Sequence, residues 1–262
     1  FAETAPTTFH RYALSAESPW PLAGYLTYET DGGLHTEEFF LPAGRSDFVS
    51  FIDGFLGGAT AGKPRSLSFT PLPKGQRAEG RITLTSLSLT SAERPPERIF
   101  LSNGVIKVGA SLRYGGGLDY LEALTGSVAA AKRNGRVEVA PGLAEQVPPE
   151  AVLTRSVNLL NRHDTGRLVQ QSYYGISDPP YEKGEFMGLP WCYNPVMGGD
   201  KGNTPSKIVD FRLTQGETPS LYVKCRPQDW GHVNRPTPSY MEAWYALDGP
   251  CLRVSNRFTD YS

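Results

Sequence analysis

The sequence lacks a long apolar run, and it lacks an excess of charge of either sign. No apolar run reaches the ~18 residues that a membrane-spanning helix needs. Lys and Arg together number 26 against 27 Asp and Glu, which gives a formal charge of -1 at pH 7. A basic field that could hold a phosphate backbone is therefore missing. We expect a chain without a membrane span and without a nucleic-acid partner.

Cysteine is scarce as well, with only Cys192, Cys225 and Cys251. Three cysteines allow at most one intrachain disulfide, so two alternatives stay open: a Cys225–Cys251 bridge, or three buried free thiols. The cysteine spacing matches no metal-binding pattern. Asp200 and Asn203 offer calcium two oxygen ligands, far fewer than the ~6–8 that it takes. We therefore expect no cofactor, with a structural calcium ion as the weaker alternative.

Uninterrupted helical windows are also few, because 28 Gly and 22 Pro are spread along the chain. Short runs rich in β-branched and aromatic residues, with partly alternating polarity, are frequent instead. These runs are LAGYLTYET, SLSFTPL, RITLTSLSLT, VIKVGASL, RLVQQSYYG, KIVDFRLT, SLYVKC, MEAWYAL and CLRVSNRFT. Their regular spacing predicts an all-β fold, an antiparallel β-sandwich. Two helices are predicted in addition, over 46–58 and 118–133.

The stretch ERPPER, residues 93–98, predicts a domain boundary. Two adjacent prolines flanked by charges can neither pair in a central strand nor continue a helix. We therefore divide the chain into an N-terminal β-rich segment, 1–95, and a second domain, 96–262. The succession FIDGFLGG, SLSFTPLPKGQRAEG and RITLTSLSLT resembles the closing half of the jelly-roll modules that accompany polysaccharide-active enzymes. The resemblance implies that residues 1–95 form a smaller accessory sandwich.

Two stretches of the second part, LSNGVIKVGASLRYGGGLDYLEAL and the final YALDGPCLRVSNRFTDYS, resemble recurrent stretches of galactose mutarotase-like β-supersandwich domains. Between them, NLLNRHDTGRLVQQSYYG and WCYNPVMGGDKGN are similar to a largely uncharacterised group of secreted bacterial proteins. The resemblance covers 99–262 and implies a supersandwich whose glycines let the first hairpin fold tightly against the sheet. This length is short for a complete supersandwich. We expect further strands, from a missing C-terminal part or from a separate chain.

The resemblance also bears on localisation. The first ten residues, FAETAPTTFH, lack the basic start and apolar core of a secretion signal. The sequence begins without Met, however, so removal of a signal is compatible with it. Because the similar proteins are secreted, we expect a secreted or periplasmic protein.

The stretch NLLNRHDTGRLVQQSYYG predicts a sugar-binding site. Planar side chains with donors and acceptors bind sugar hydroxyls, and aromatic rings cover the apolar faces of sugars. If RLVQQSYY is a strand, alternation places polar groups on both of its faces, which is costly unless one face lines a groove or a satisfied network. The structural alternative is that Asp164 and Arg167 pair across a turn while the tyrosines fill the interior.

Three later stretches predict the complement of this site. In WCYNPVMGGDKGN, prolines stiffen an aromatic loop, and Gly198 and Gly199 let backbone approach a ligand. PQDWGHVNRP brings Trp230 close to His232 in sequence. In SYMEAWYAL, alternation places Tyr240, Glu242 and Trp244 on one strand face. A carboxylate between aromatic rings is a candidate general acid.

These residues favour glycoside hydrolysis of a poly- or oligosaccharide, which needs two carboxyl groups across the scissile bond. The candidate acid–base residues are Asp164, Glu242, His163 and Asp200. The candidate substrate-binding residues are Arg167, Gln170, Gln171, Tyr173, Tyr174, Trp191, Asn194, Trp230 and His232. On this hypothesis Asp164→Asn abolishes turnover and leaves the fold intact.

Three other functions stay open. The first is glycan binding without catalysis, by the same aromatic and amide side chains. The second is polysaccharide β-elimination, with Arg167, Gln171 or His163 neutralising a uronate and Tyr174 or His163 as the base. The third is sugar epimerisation by His163 or His232 with Glu242. The overall charge favours hydrolysis over elimination, because the chain has no cationic surplus to attract an acidic polymer.

Overall fold

The computed structural model describes residues 8–30, 33–51, 63–72, 79–93, 95–124, 158–160, 163–175 and 182–262. Over these ranges the chain is built of antiparallel strands, and helix is limited to the 3-10 turns Leu112–Tyr114 and Thr165–Arg167. The predicted all-β fold is confirmed. None of the described helices has the length and apolar character to cross a membrane.

Six strands precede the proline pair of the predicted boundary. They are β1 Thr8–Ser18, β2 Leu22–Thr30, β3 Gly33–Leu41, β4 Gly44–Phe51, β5 Lys63–Pro71 and β6 Thr83–Glu93. They form two three-stranded sheets, ordered β4-β1-β6 and β3-β2-β5. Alternate apolar residues of both sheets, such as Tyr12, Leu14, Leu26 and Phe39, are buried in one shared core. Because the two sheets bury their apolar faces against each other, this part of the chain is a β-sandwich.

The remaining strands follow the proline pair. They are β7 Arg98–Ser102, β8 Ile106–Ser111, β9 Gly117–Ala123, β10 Gly184–Phe186, β11 Leu189–Trp191, β12 Pro195–Val196, β13 Lys207–Thr214, β14 Ser220–Arg226, β15 Gln228–Asp229, β16 Ser239–Asp248 and β17 Cys251–Asp260. The sheets β7-β8-β9 and β13-β14-β16-β17 enclose a second core, which includes Val108, Leu112, Val223 and Met241. The short pairs β10-β11 and β12-β15 lie outside these sheets.

A glycine bend between β8 and β9 fits tightly into the second core. Gly115 and Gly116 have φ of 62° and 90°, where residues with a Cβ are strained. A Cβ on Gly115 would lie 1.9 Å from the carbonyl oxygen of Met197, and one on Gly116 would lie 2.6 Å from Val223. Both the backbone conformation and the available space therefore require glycine here.

Each core also includes side chains from the other half of the chain. Phe51 of β4 packs in the second core, whereas Val209 and Tyr240 pack in the first. The Tyr240 hydroxyl also accepts a 3.0 Å hydrogen bond from the backbone N–H of Phe40. The division of the chain at 95/96 stays a prediction. So does the completion of the sandwich by further strands next to β17, which is the last strand in the order β13-β14-β16-β17.

The two predicted helices are wrong where the structure describes them. Residues 46–51 belong to β4, in which the buried Ser46, Phe48 and Ser50 alternate with less buried neighbours. Residues 118–123 belong to β9, which pairs with β8. Both apolar runs are extended because they pair with neighbouring strands, β1 and β8, a tertiary effect that outweighs local helix propensity. The rest of both segments lies outside the described ranges, apart from Leu124.

The three cysteines are free thiols. Cys225 is buried in the second core, and burial raises the pKa of its thiol. Cys251 is exposed at the start of β17, paired with Asp248 at the far end of β16. Of the two alternatives, the structure has free thiols and no Cys225–Cys251 bridge, although only Cys225 is fully buried.

Candidate functional site

The polar stretch begins with a capped turn. Asp164 caps the 3-10 turn Thr165–Arg167 by accepting a 3.0 Å hydrogen bond from the backbone N–H of Gly166. Its second carboxylate oxygen lies 3.0 Å from Nε of Arg167. The ion pair across a turn, considered as the structural alternative, is therefore confirmed. The tyrosines do not fill the interior, since Tyr173 and Tyr174 are both exposed.

Beyond the turn the chain is extended but is not a regular strand. Val169 and Ser172 form isolated bridges to Leu118 and Val196. Gln170 donates a 2.5 Å hydrogen bond to the carbonyl oxygen of Thr165 and accepts one from the backbone N–H of Gly198. Such side-chain bonds to backbone take the place of ladder hydrogen bonds. The predicted continuous strand over 167–175 is wrong for this reason.

Gln171 and Asn194 likewise bind the protein itself. The Gln171 amide donates to the carbonyl oxygen of Glu242 at 2.8 Å and accepts from the hydroxyl of Tyr173 at 3.2 Å. The Asn194 amide donates to the carbonyl oxygen of Tyr173 at 2.8 Å, and its oxygen accepts from Nε1 of Trp191 at 3.1 Å. Both amides are buried. They join the polar stretch to the later loops and do not face solvent.

Asp200 is fully buried and organises a loop. One carboxylate oxygen accepts from the backbone N–H groups of Gly202 and Thr204 at 2.8 and 2.9 Å, and the other accepts from Asn234 at 2.6 Å. The side-chain oxygen of Asn203 accepts from the backbone N–H of Thr165. These bonds use the oxygens that the calcium hypothesis needed. In the described part of the chain, no group of three or more acidic, His or Cys side chains is placed to hold a metal ion.

Four aromatic side chains gather at the ends of these loops. We call Tyr174, Phe186, Trp191 and Trp230 the loop-end aromatic cluster. Trp191 lies between Tyr174 and Phe186, whose ring centroids are 6.0 and 5.2 Å from its own. Phe186 in turn contacts Trp230, with 5.4 Å between the ring centroids. All three contacts are edge-to-face, a favoured aromatic geometry. The array brings together three of the predicted sugar-binding residues and adds Phe186.

A tight hairpin presents Phe186 and Trp191. Its strands β10 and β11 are joined by Met187 and Gly188, with φ of 54° and 78°, the left-handed pair typical of a two-residue hairpin turn. Gly188 was the signal in the sequence for this turn, in the run EFMGLPW. The backbone N–H of Glu185 donates to the carbonyl oxygen of Gly231 at 2.9 Å, which ties the hairpin to the loop that carries Trp230.

The polar turn also reaches this cluster. A Cβ on Gly166 would lie 2.5 Å from the ring of Trp230, so the turn packs directly on that indole. The turn carries His163 and Arg167, and both side chains are exposed. The packing of Gly166 on Trp230 brings the polar turn and the Trp230 loop together.

His232 lies between an acidic and a basic side chain and contacts both. Its Nδ1 lies 2.8 Å from a carboxylate oxygen of the buried Asp229, and its Nε2 lies 2.8 Å from Nη1 of Arg235. Since arginine only donates, Nε2 must accept, and Nδ1 carries the proton. Both nitrogens of a neutral imidazole are thereby used within the protein. Sequence reasoning missed Asp229 and Arg235, which lie within three residues of His232.

Glu242 points away from these groups. On β16 its neighbours Met241 and Ala243 are buried in the second core, so the Glu242 side chain projects from the opposite, outer face of the sheet. The predicted common face of Tyr240, Glu242 and Trp244 agrees with this alternation. Tyr240, however, is buried against Phe40 and Phe48. The polar stretch meets β16 and β17 from the other side, where Tyr173 stacks on Phe258, the partner of Met241.

Comparison of the chain with protein-family models, with curated proteins and with solved structures gave no match.

Proposed function

We propose that this chain binds glycans, with the loop-end aromatic cluster as the surface that contacts the sugar. The observation that carries the proposal is the array itself, whose rings come from three separate stretches of the chain. Tyr174 is 68% exposed and Met187, at the hairpin tip, is 83% exposed, so one side of the array is open to a ligand. Aromatic rings that remain accessible suit the apolar C–H faces of sugars.

Buried polar side chains hydrogen-bond to the backbone of the loops that carry the array, which favours binding. Buried Asn194 and Asp229 tie the loops together, because the carboxylate of Asp229 accepts from the backbone N–H of Asn194 at 3.1 Å. Asp200 fixes the loop around 200–204 in the same manner. A preorganised surface loses little conformational freedom when a ligand binds. In this proposal the buried polar residues position the rings, and the exposed ones contact hydroxyls.

The exposed polar groups of the turn that packs on Trp230 supply hydrogen bonds for sugar hydroxyls. Arg167 has 59% of its side chain exposed, and its guanidinium retains donors beyond the one directed at Asp164. His163 lies on the same turn and is exposed. In this proposal Arg167, His163 and Asp164 form the polar rim of the aromatic surface.

Hydrolysis stays a prediction, and the positions of the three carboxylates predicted from the sequence favour binding without turnover. A glycosidase needs two carboxyl groups ~5–9.5 Å apart on either side of one bond. Asp200 is inaccessible, and Glu242 projects from the opposite face of its sheet. Asp164 is therefore the one carboxylate of the three that lies beside the aromatic array. Epimerisation is disfavoured on the same grounds, because Glu242 lies apart from His163 and His232.

The test is affinity electrophoresis of the protein in gels that contain neutral or acidic polysaccharides. Release of reducing ends and ultraviolet absorbance of unsaturated uronates are followed in parallel. We expect retardation by at least one polysaccharide without either product. Tyr174→Ala should reduce retardation, whereas the control Phe100→Ala, which removes another exposed ring far along the chain, should not.

Three results would contradict the proposal. If Tyr174→Ala and Phe100→Ala are retarded as strongly as the unchanged protein, the aromatic cluster is not the binding surface. If reducing ends appear and Asp164→Asn stops their release, the chain is a hydrolase. Absorbance of unsaturated products would instead indicate a lyase that uses Arg167 with His163 or Tyr174. The galactose mutarotase-like relationship and the secreted location stay predictions beside this proposal.

A further inference from the structure

A second group of functional side chains covers the outer face of the four-stranded sheet. The strand register places one residue from each of the four strands side by side in a row of alternating charge. A second such row, two residues further along the strands, combines charged, aromatic and polar residues. The first row is Asp210, Lys224, Glu242 and Arg257, and the second is Arg212, Tyr222, Trp244 and Ser255. We call these residues, without Ser255, the sheet-face cluster. It contains only one of the residues predicted as a site, Glu242.

The carboxylates of this cluster already have partners. Asp210 accepts from Nη2 of Arg11 at 2.7 Å, and Glu242 accepts from the hydroxyl of Tyr222 at 2.8 Å. Lys224 lies between the two acids in the row, and burial lowers the pKa of its ammonium group even though both carboxylates oppose the shift. The inner part of the face is thus a paired network.

The exposed part of the cluster is cationic. The side chains of Arg212 and Arg257 are 73% and 65% exposed, compared with 9% and 14% for Asp210 and Glu242. With Arg11 and Lys224 included, four cations accompany two carboxylates. The face therefore carries a local positive surplus that the overall charge of -1 conceals. Such a surplus attracts anionic ligands and repels cationic ones.

The two arginines frame an aromatic pair. The guanidinium carbon of Arg212 lies 4.8 Å from the ring centroid of Tyr222, and that of Arg257 lies 5.5 Å from the ring centroid of Trp244. The rings lie 5.1 Å apart and are tilted by 41°. Arg212 already pairs with Asp210 at 3.4 Å, and Arg257 pairs with Glu242 at 3.8 Å. Each guanidinium has five N–H donors, so further donors are left for a ligand carboxylate, which arginine can bind with two parallel hydrogen bonds.

The spacing of the arginines indicates an extended ligand. They lie on β13 and β17, the two outer strands, which are three strand spacings or about 14 Å apart. A single carboxylate cannot reach both strands. A ligand that uses both guanidiniums must carry repeated negative charges and must cross the exposed edge of Trp244, which is 36% exposed.

We infer that the sheet-face cluster binds an acidic saccharide chain, with uronate carboxylates on Arg212 and Arg257 and a sugar ring against Trp244. This surface is on the opposite side of β16 from the polar stretch, so it is a second binding surface and does not depend on the loop-end aromatic cluster.

The test measures binding of polygalacturonate by biolayer interferometry, with its fully methyl-esterified form as the uncharged probe. The double variant Arg212→Gln/Arg257→Gln should bind polygalacturonate about 10-fold or more weakly, since each lost contact is a hydrogen bond to a charged group. Arg65→Gln/Arg45→Gln removes the same charge from exposed positions on β4 and β5 and should bind normally. Tyr174→Ala should also bind polygalacturonate normally, which separates this surface from the proposed one.

The outcomes are distinct. Loss of binding on esterification and in the sheet-face double variant alone supports the inference. Equal binding of the esterified polymer, or equal weakening by both double variants, overturns it. Equally tight binding of dextran sulfate or of single-stranded DNA overturns the assignment to uronates and indicates a surface for polyanions in general.

Discussion

Replacement of Asp200 by asparagine tests whether this carboxylate organises the fold or acts on a ligand. Its two oxygens accept three backbone N–H bonds, at 2.6, 2.8 and 2.9 Å. An asparagine amide must direct its NH2 group at one or two of those donors. Hydrogen bonds to charged groups contribute ~1.5–3 kcal/mol each, and water can reach some of the freed groups. We therefore expect a loss of about 3 kcal/mol.

This loss is a large fraction of the ~5–15 kcal/mol that stabilises a typical protein. For a chain of this size it lowers Tm by roughly 6–12 °C. Thermal unfolding followed by circular dichroism measures the effect. Asp164→Asn is the matched control, because asparagine also caps helical turns well and the exposed ion pair contributes under about 1 kcal/mol. If Asp200→Asn melts with the unchanged protein but no longer binds glycan, then the carboxylate faces the ligand and our reasoning is wrong.

Three further predictions concern stability and thiol chemistry. Gly115→Ala should lower the free energy of unfolding in urea by at least about 3 kcal/mol. Gly104 also has a positive φ but has open space around it, so Gly104→Ala should lower it by only ~1–2 kcal/mol. Equal losses would show that the close approach at Gly115 is unimportant. Burial raises the pKa of several tyrosines, Tyr240 among them. The folded chain then holds more protons than the unfolded chain above pH ~10, so each such tyrosine should lower stability by up to about 1.4 kcal/mol per pH unit as pH rises; stability that stays level between pH 10 and 11 contradicts this. Iodoacetamide should label Cys251 in the native protein and Cys225 only after unfolding; if neither reacts without reductant, the two form a bridge.

Strand positions could be predicted from the sequence because alternation and turn residues are local signals. The runs KIVDFRLT and LAGYLTYET coincide with β13 and β2. The apolar run of 46–51 misled the prediction, because an amphipathic strand and a short helix look alike when the strand partner is unknown. Phe51, for example, is buried in the core of the other half of the chain.

The site was predictable only in part, because a sequence does not show where a polar side chain points. Gln170, Gln171 and Asp200 have the composition of a binding site, yet they bind the backbone that supports it. Trp230 packs against the polar turn, and Trp191 contacts Tyr174 of the same polar stretch. The placement of Arg212 and Arg257 in neighbouring rows of one sheet face depends on the register of four strands, which no local pattern specifies.

The central claim is that sugar contacts the loop-end aromatic cluster, and the indole N–H signals of a 15N-labelled sample test it most directly. The four tryptophans are Trp20, Trp191, Trp230 and Trp244. Titration with an oligosaccharide of the polysaccharide that retards the protein should shift the signals of Trp191 and Trp230. The signal of Trp20, which packs against Gly80 in the N-terminal half, should stay in place. If the Trp191 and Trp230 signals do not move at saturation, the sugar binds elsewhere and the account is wrong.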